Sequence, residues 1–283
     1  MKTLLRPLPQ FLSSSTKVSI CKRCLSSTPR ILSTPPPTPK LNSRWLSTTK
    51  SRLGKCILWG LSRPQAARAS EVSKILGEEW RVLVAGSEGF LSGEGRAGLL
   101  RQKVVWGEMD SMGHVNNVTY IRYAESARVQ WAHNFARVHD RAHKREWEDC
   151  VTSRGMGMIL KSIRTDYKFP MTWPDHITVL HKLASLPKPG DHSFQLDVLV
   201  LSELYQRASA RCFEDIVTYD YKKGRKTAVP DWMLKAFERT WNEQIREKER
   251  AGERLREVDR LMTALEKDTW DGEGAVEDMG VAT

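Results

Sequence analysis

The sequence predicts an α+β fold, an antiparallel β-sheet wrapped around one long helix, with an extra helix at the C-terminal side. Three observations carry this. Tyr120, Tyr123, Ala124, Ala127, Trp131, Phe135 and Val138 recur at three- and four-residue spacing, the apolar stripe of a buried helix face. After that stripe the apolar period changes to two, as in Phe194, Leu196, Val198 and Val200 alternating with Gln195, Asp197 and Leu199. From Asp231 the chain is helical again and highly charged. One strand, one helix and then several strands joined by short turns form one sheet more readily than a βαβ series.

The elements follow in order. Glu71 to Trp80 has helical spacing (Val72, Leu76, Trp80), and a Gly/Ser-rich loop runs from Gly86 to Gly98. Lys103 to Trp106 is a short β-type run ended by the turn Asp110-Ser111-Met112-Gly113. The long helix is expected over 118–138, with Asn116 and Asn117 at its start as caps and basic residues at its far end. Strands are expected from Met156 to Pro170, from His176 to Leu186, around 194–200, and from Ala208 to Tyr221, with a turn at Pro187-Lys188-Pro189-Gly190. In the last helix Phe237, Trp241 and Ile245 share one face and Leu255, Val258, Met262 and Leu265 another. Ala251-Gly252 weakens its middle. The resulting divisions are a leader over 1–70, a lead-in helix and loop over 71–100, the main domain over 101–230, an accessory helix over 231–268 and a disordered tail over 269–283.

The leader rests on charge. The formal net charge of +11 on 283 residues suggests a nucleic-acid or membrane partner when taken whole. However, residues 1–70 hold 13 Lys/Arg and no acid, whereas the other 213 residues hold 32 basic and 34 acidic groups. The folded part is therefore close to neutral, and nucleic-acid binding is dropped. A basic, acid-free segment rich in Ser, Thr and Pro has the composition of a mitochondrial presequence. The inside-negative inner membrane draws such segments inward. Arg23-Cys24-Leu25-Ser26 and Arg44-Trp45-Leu46-Ser47 both place Arg just upstream of small residues, as at matrix-protease sites. The most apolar leader stretch, Cys56 to Leu61, is far short of the ~20 residues that span a bilayer. Cys21 and Cys24 form a CxxC without a second ligand pair, and His133, His139 and His143 lack ligand spacing, so no metal site is expected. Cys150 and Cys212 read as ordinary buried or half-buried thiols.

The segment from Val105 to Tyr120 carries the chemistry. It places a carboxylate, Asp110, in a turn at the end of a strand and just before a long apolar helix. A helix N-terminus offers unpaired N–H groups and a positive dipole, which polarise a carbonyl or hold an oxyanion. A carboxylate beside them attacks that carbonyl or activates water. The pairing suits acyl transfer without a metal or cofactor. Asp110 also reads as a turn residue, a common use of Asp.

The stretch Glu108-Met109-Asp110, Gly113-His114-Val115-Asn116-Asn117 and Tyr120 resembles the signature of the 4-hydroxybenzoyl-CoA thioesterase-type hotdog superfamily. Arg122 to Arg128 and the pair Tyr167 and Pro170 continue it. The resemblance covers about residues 100–225, and within the superfamily the chain looks like a fungal-type mitochondrial member. It implies a hotdog fold, thioester hydrolysis with acyl-CoA or acyl-carrier-protein substrates, and a site formed between protomers of a homodimer or dimer of dimers. Asp110 falls on the family's catalytic aspartate. Gly113 falls where a backbone amide meets the thioester carbonyl. Asn117 falls where a bacterial branch has a catalytic His, whereas this chain has His114 instead. Gly113, His114, Asn116 and Asn117 are thus the candidate substrate-binding residues. Glu108 reads as structural, and Glu125 as the ion-pair partner of Arg122 and Arg128. Two other readings stay open: a catalytically idle hotdog that binds acyl chains or assists assembly, and a hydratase, which pairs Asp with a His about five residues on, against the four separating Asp110 and His114.

Overall fold

The computed structural model describes Asn42 and residues 44–273, all within one unit spanning Thr38–Thr283. Its elements are α1 (Trp45–Trp59), α2 (Arg63–Glu78), α3 (Trp80–Gly86), β1 (Ala97–Lys103), α4 (Asn117–Asn134), α5 (Lys144–Asp149), β2 (Met156–Tyr167), β3 (His176–Leu183), β4 (Ser193–Ser202), β5 (Arg207–Asp220), β6 (Arg225–Lys226) and α6 (Asp231–Lys267). The strands make one antiparallel sheet in the order β1-β3-β4-β5-β2, with β6 beside β5. Its concave face wraps α4, the hotdog arrangement.

The period-two pattern explains both faces. Ile177 and Val179 of β3, Val198 and Val200 of β4, and Ala210 and Cys212 of β5 pack with Tyr120, Tyr123, Ala124 and Ala127 of α4. The intervening Leu180, Leu199 and Leu201 point the other way and join a second core with α1, α2, α3 and the distal half of α6. The terminal helices thus cover the back of a sheet whose front is filled by α4. A third cluster joins Trp131, Phe135 and Trp147 to Met233 and Phe237. α6 runs unbroken for 37 residues through Ala251-Gly252 and serves two cores. Midway, Gln244 exchanges hydrogen bonds with the backbone of Leu183 (2.9 and 3.1 Å), which closes the end of β3.

Several expected boundaries shift. The strand expected at 103–106 lies earlier, at 97–103, and Trp106–Glu108 forms a single 3-10 turn. Gly98, which reads as loop, is strand because α4 lies against it: a Cβ there would stand 2.4 Å from the Ala127 carbonyl oxygen. The long helix ends at Asn134 and continues as one π-turn, Phe135–His139, leaving Val138 exposed. The leader boundary at residue 70 falls inside α2, and the folded body includes α1. Leu46, Leu53 and Cys56 of α1 are buried, and Arg52 reaches Asp259 (2.7 Å) and both carboxylate oxygens of Glu266 (2.6 and 2.8 Å). Thr269 and Trp270 pack on the same body, so the disordered tail expected from 269 does not begin there; residues 274–283, together with 1–41 and 43 (hence Cys21, Cys24 and the Arg23 site), lie outside the described residues.

Arg128 is turned into the core rather than toward Glu125. Its Nη1 donates to Glu214 Oε1 at 2.5 Å, with both side chains buried, and His181 Nε2 lies 3.6 Å from Glu214 Oε2. The expected Glu125 ion pair is therefore absent among the described residues: Glu125 is exposed on the outer face of α4, and Arg128 has another partner. Removing one member of a buried pair strands the other charge. Glu214→Leu is expected to destabilise the fold by about 3–5 kcal/mol, and adding Arg128→Met to recover most of it. Urea unfolding of the two variants checks this; equal losses in both would contradict the pairing.

Candidate functional site

The site lies where β2 ends, the 109–115 turn crosses and α4 begins. Met109 and Val115 form a one-pair bridge that closes the turn. Inside it the Asp110 amide donates to the His114 carbonyl (2.8 Å) and the Gly113 amide to the Asp110 carbonyl (3.1 Å). Gly113 has φ +75°, a conformation that favours glycine. Val115 N–H is held by Met171 (2.8 Å), and Asn116 N–H by the Glu108 carbonyl (2.9 Å). The turn is fixed on three sides before α4 starts.

Asp110 is half-buried and serves the turn with one oxygen: Oδ1 accepts from the amides of Met112 (2.8 Å) and His114 (3.4 Å). Oδ2 has no hydrogen-bond partner among the described residues. Asn116 is the N-cap of α4, its Oδ1 accepting from Val118 N–H (3.1 Å). That leaves Asn117 N–H, the first amide of the helix, without a partner among the described residues. The Asn117 carbonyl accepts from the Tyr167 hydroxyl (2.9 Å), which ties the end of β2 to the start of α4. Tyr120 packs edge-on to Tyr167 and accepts from Met171 N–H (3.2 Å); burial pushes its hydroxyl pKa up.

These groups enclose a cavity of about 440 Å³ lined by Asp110, His114, Asn117, Tyr120, Tyr167 and the segment Lys168–Pro170. Of the sequence-derived candidates, Asp110, His114 and Asn117 line it. Asn116 is exposed and acts as a cap, and Gly113 shapes the turn with its amide directed to Asp110. Glu108 is structural as expected: its Oε2 accepts from Val105 N–H (2.9 Å) and the Tyr123 hydroxyl (2.6 Å). Lys168, Phe169 and the free Asn117 amide are additions. The first two sit between Tyr167 and Pro170, a pair already conspicuous in the sequence. The third follows once Asn116 is taken as the cap.

A carboxylate oxygen, a free amide at the positive end of an 18-residue helix and an imidazole around one cavity make a set suited to attack on a polarised carbonyl. Among the described residues no group of three His, Cys, Asp or Glu side chains is placed to hold a metal ion, and no helix is long and apolar enough to cross a membrane. His139 bonds the Gly95 carbonyl (3.0 Å) and its pKa is lowered by burial, while His143 meets Asp140 (3.1 Å). Burial pushes the Cys150 thiol up to about 12 and Cys212 up to about 11.

No curated protein matches the chain. Among solved structures, the PA2801 protein of Pseudomonas aeruginosa aligns at 26% identity over 48% of this chain and 93% of its own, with a TM-score of 0.39. A thioesterase from Thermus thermophilus, complexed with coenzyme A and Zn, aligns at 21% identity over 53% of this chain and 97% of its own (TM-score 0.41). The DHNA-CoA thioesterase of Staphylococcus aureus aligns at 13% identity over 50% and 87% (TM-score 0.39). The model of the thioesterase-like superfamily matches residues 104–237, the stretch that holds Asp110, the turn and the whole of α4. That stretch, 134 of the 283 residues, matches the thioesterase-like superfamily, and the sheet that wraps α4 within it has the hotdog arrangement.

Proposed function

We propose that the protein hydrolyses acyl thioesters, with Asp110 as nucleophile or general base. The observation that carries this reading is the pairing, around one cavity, of Asp110 and Asn117, whose Oδ2 and N–H at the start of α4 have no partner among the described residues. The amide polarises the thioester carbonyl and holds the oxyanion, and Asp110 attacks the carbonyl carbon or takes a proton from the attacking water. As general base, Asp110 passes that proton to the departing thiolate as the carbonyl re-forms. As nucleophile, it displaces the thiolate to give an acyl–Asp110 anhydride, which water then hydrolyses to the carboxylic acid, one of the water's protons going to the thiolate. The amide at Gly113, the position implied by the resemblance, is engaged within the turn, so the role passes to Asn117.

Thiol release from acyl-CoAs of short to long chain, measured on the full chain, tests this. Turnover on at least one chain length is the expected result. Absence of turnover on every one, with acyl-carrier-protein esters also unhydrolysed, overturns it. One observation favours the idle acyl-binding reading: Asp110 Oδ1 and the Gly113 amide both have turn duties. That reading predicts co-purifying acyl chains without turnover.

The assembly proposed is a homodimer. β2 is 12 residues long and closes the sheet with β5 on one side only. A long open edge invites a second strand, and a second copy of β2 meets that need beside the site. The location proposed is the mitochondrial matrix, on the acid-free composition of residues 1–70. The packing of α1 in the back core supports a presequence that would be removed before Trp45. N-terminal sequencing of the mature protein checks it.

A further inference from the structure

Three loops are bonded together at the end of the molecule where α4 begins, around the turn that carries Asp110. Val104 N–H donates to the Asp175 carbonyl (2.9 Å), Val115 N–H to the Met171 carbonyl (2.8 Å), and Trp173 N–H to the Met109 sulfur (3.3 Å). Each loop turns one large apolar side chain outward: Trp106 is 73% exposed, Met112 76% and Trp173 50%, with Val105 exposed beside Trp106. Trp106 and Trp173 are the two most exposed of the chain's ten tryptophans, and neither ring has a polar or aromatic partner among the described residues.

Charge around these loops has one sign. Within residues 100–118 and 168–176 the exposed charged side chains are Arg101, Lys103 and Lys168, all basic. The acids of the same segments are turned to the fold. Glu108 is held by Val105 N–H and the Tyr123 hydroxyl, and Asp110 by its own turn. Asp175 is buried and held by the Ser202 hydroxyl (2.5 Å) and Leu204 N–H (2.9 Å). Lys168 meets one acid, Asp166, at 3.8 Å. Exposed as they are, these cations need no partner for the fold; what they contribute is a local positive potential.

Apolar side chains exposed singly are ordinary. Here two tryptophans and a methionine stand on loops bonded into one cluster, flanked by cations and by no exposed acid. That is the composition of an interfacial anchor. Indole rings settle at the headgroup level of a bilayer, and anionic headgroups attract Lys and Arg beside them. A second copy of the chain fits less well. An isologous contact sets a patch against itself, which would bring Arg101, Lys103 and Lys168 toward their own copies, where like charges repel. We propose that these loop tips dock on an anionic membrane surface, with Trp106, Met112 and Trp173 entering the headgroup layer and Arg101 and Lys103 meeting the anionic headgroups. Met112 also lines the cavity beside Asp110, so the mouth of the candidate site would open against the lipid. The docking does not depend on what that site catalyses.

Flotation of the full chain with lipid vesicles tests this. The expected result is binding to vesicles of phosphatidylserine and phosphatidylcholine in equal parts, little binding to phosphatidylcholine alone, and loss of binding as salt rises. Trp106→Gln and Trp173→Gln should each weaken the partition by about tenfold, and Lys103→Gln by about fivefold at low salt. Leu58→Gln, at an apolar residue of α1 that is 89% exposed and outside the patch, should bind as the wild type does. All four positions are exposed. Melting temperatures check that the variants fold, and the lipid and salt dependence of the wild type gives a readout that needs no variant. No binding to either vesicle, equal binding to both, or a loss in Leu58→Gln as large as in the tryptophan variants overturns the proposal. So does an oligomer in size-exclusion chromatography that Trp106→Gln and Trp173→Gln break, without any vesicle binding; that outcome gives the patch to a second copy.

Discussion

Asp110→Asn is expected to lower kcat for thioester hydrolysis by about 10³-fold, within the range for loss of a positioned base or nucleophile. The substitution is chosen because Asp110 has two separable duties. Oδ1 holds the turn through the Met112 and His114 amides, and an Asn side-chain oxygen accepts the same two bonds. Oδ2 lacks a partner, and Asn replaces it with a donor that neither attacks a carbonyl nor takes a proton. A residue needed only by the turn would therefore leave activity intact in the Asn variant, with stability changed by less than about 1 kcal/mol. Asp110→Ala removes both duties together, so its loss of activity alone would not separate them. Steady-state kinetics and a thermal melt on the Asn variant decide the matter: wild-type kcat would sink the catalytic assignment. A lowered kcat with an unchanged melt would place the effect in the chemistry.

Much of the front face was legible because α4 and the strands around it answer to one core. The stripe from Tyr120 to Phe135 is buried as its spacing requires, and β3, β4 and β5 bury alternate residues against it. The back face was less legible, for physical reasons. α1 has no acidic residue and so reads as leader, yet its compensating acids exist: they are Asp259 and Glu266 of α6, more than 200 positions away. Composition counted along the chain cannot see charge balanced across the fold. Gly98 reads as loop along the chain but is strand in the fold, because the approach of Ala127 requires a glycine there, a tertiary cause. Local spacing pairs Arg128 with its helical neighbour Glu125, but its partner is Glu214 on β5. At the site, Asp110, His114 and Asn117 were legible from their order before a helix. Lys168 and Phe169 join them only when the end of β2 is laid beside the start of α4.

The same hidden balance makes the N-terminal boundary the place where truncation should do the most damage. A chain beginning at Glu71 lacks all of α1 and the first half of α2. It loses Leu46, Leu53, Cys56 and Ala69 from the back core, and leaves Leu180, Leu199, Leu201 and Met262 with an incomplete cover. It also strands Glu266, which is mostly buried and held by Arg52. Burying a leucine is worth about 1.5–3 kcal/mol, so the two leucines alone account for roughly 3–6 kcal/mol, much of the 5–15 kcal/mol by which proteins are stable. For a body of this size each kcal/mol moves Tm by about 2–4 °C, and a fall of about 10 °C or more is expected, with association through the uncovered apolar surface. A chain beginning at residue 38 keeps every one of these contacts and should melt as the full chain does. Calorimetry and size-exclusion chromatography of the two truncations give the comparison. Equal melting of both would mean that α1 rests on the sheet without stabilising it. The expected loss in the shorter chain alone would mean that a segment with the composition of a presequence has become part of the fold.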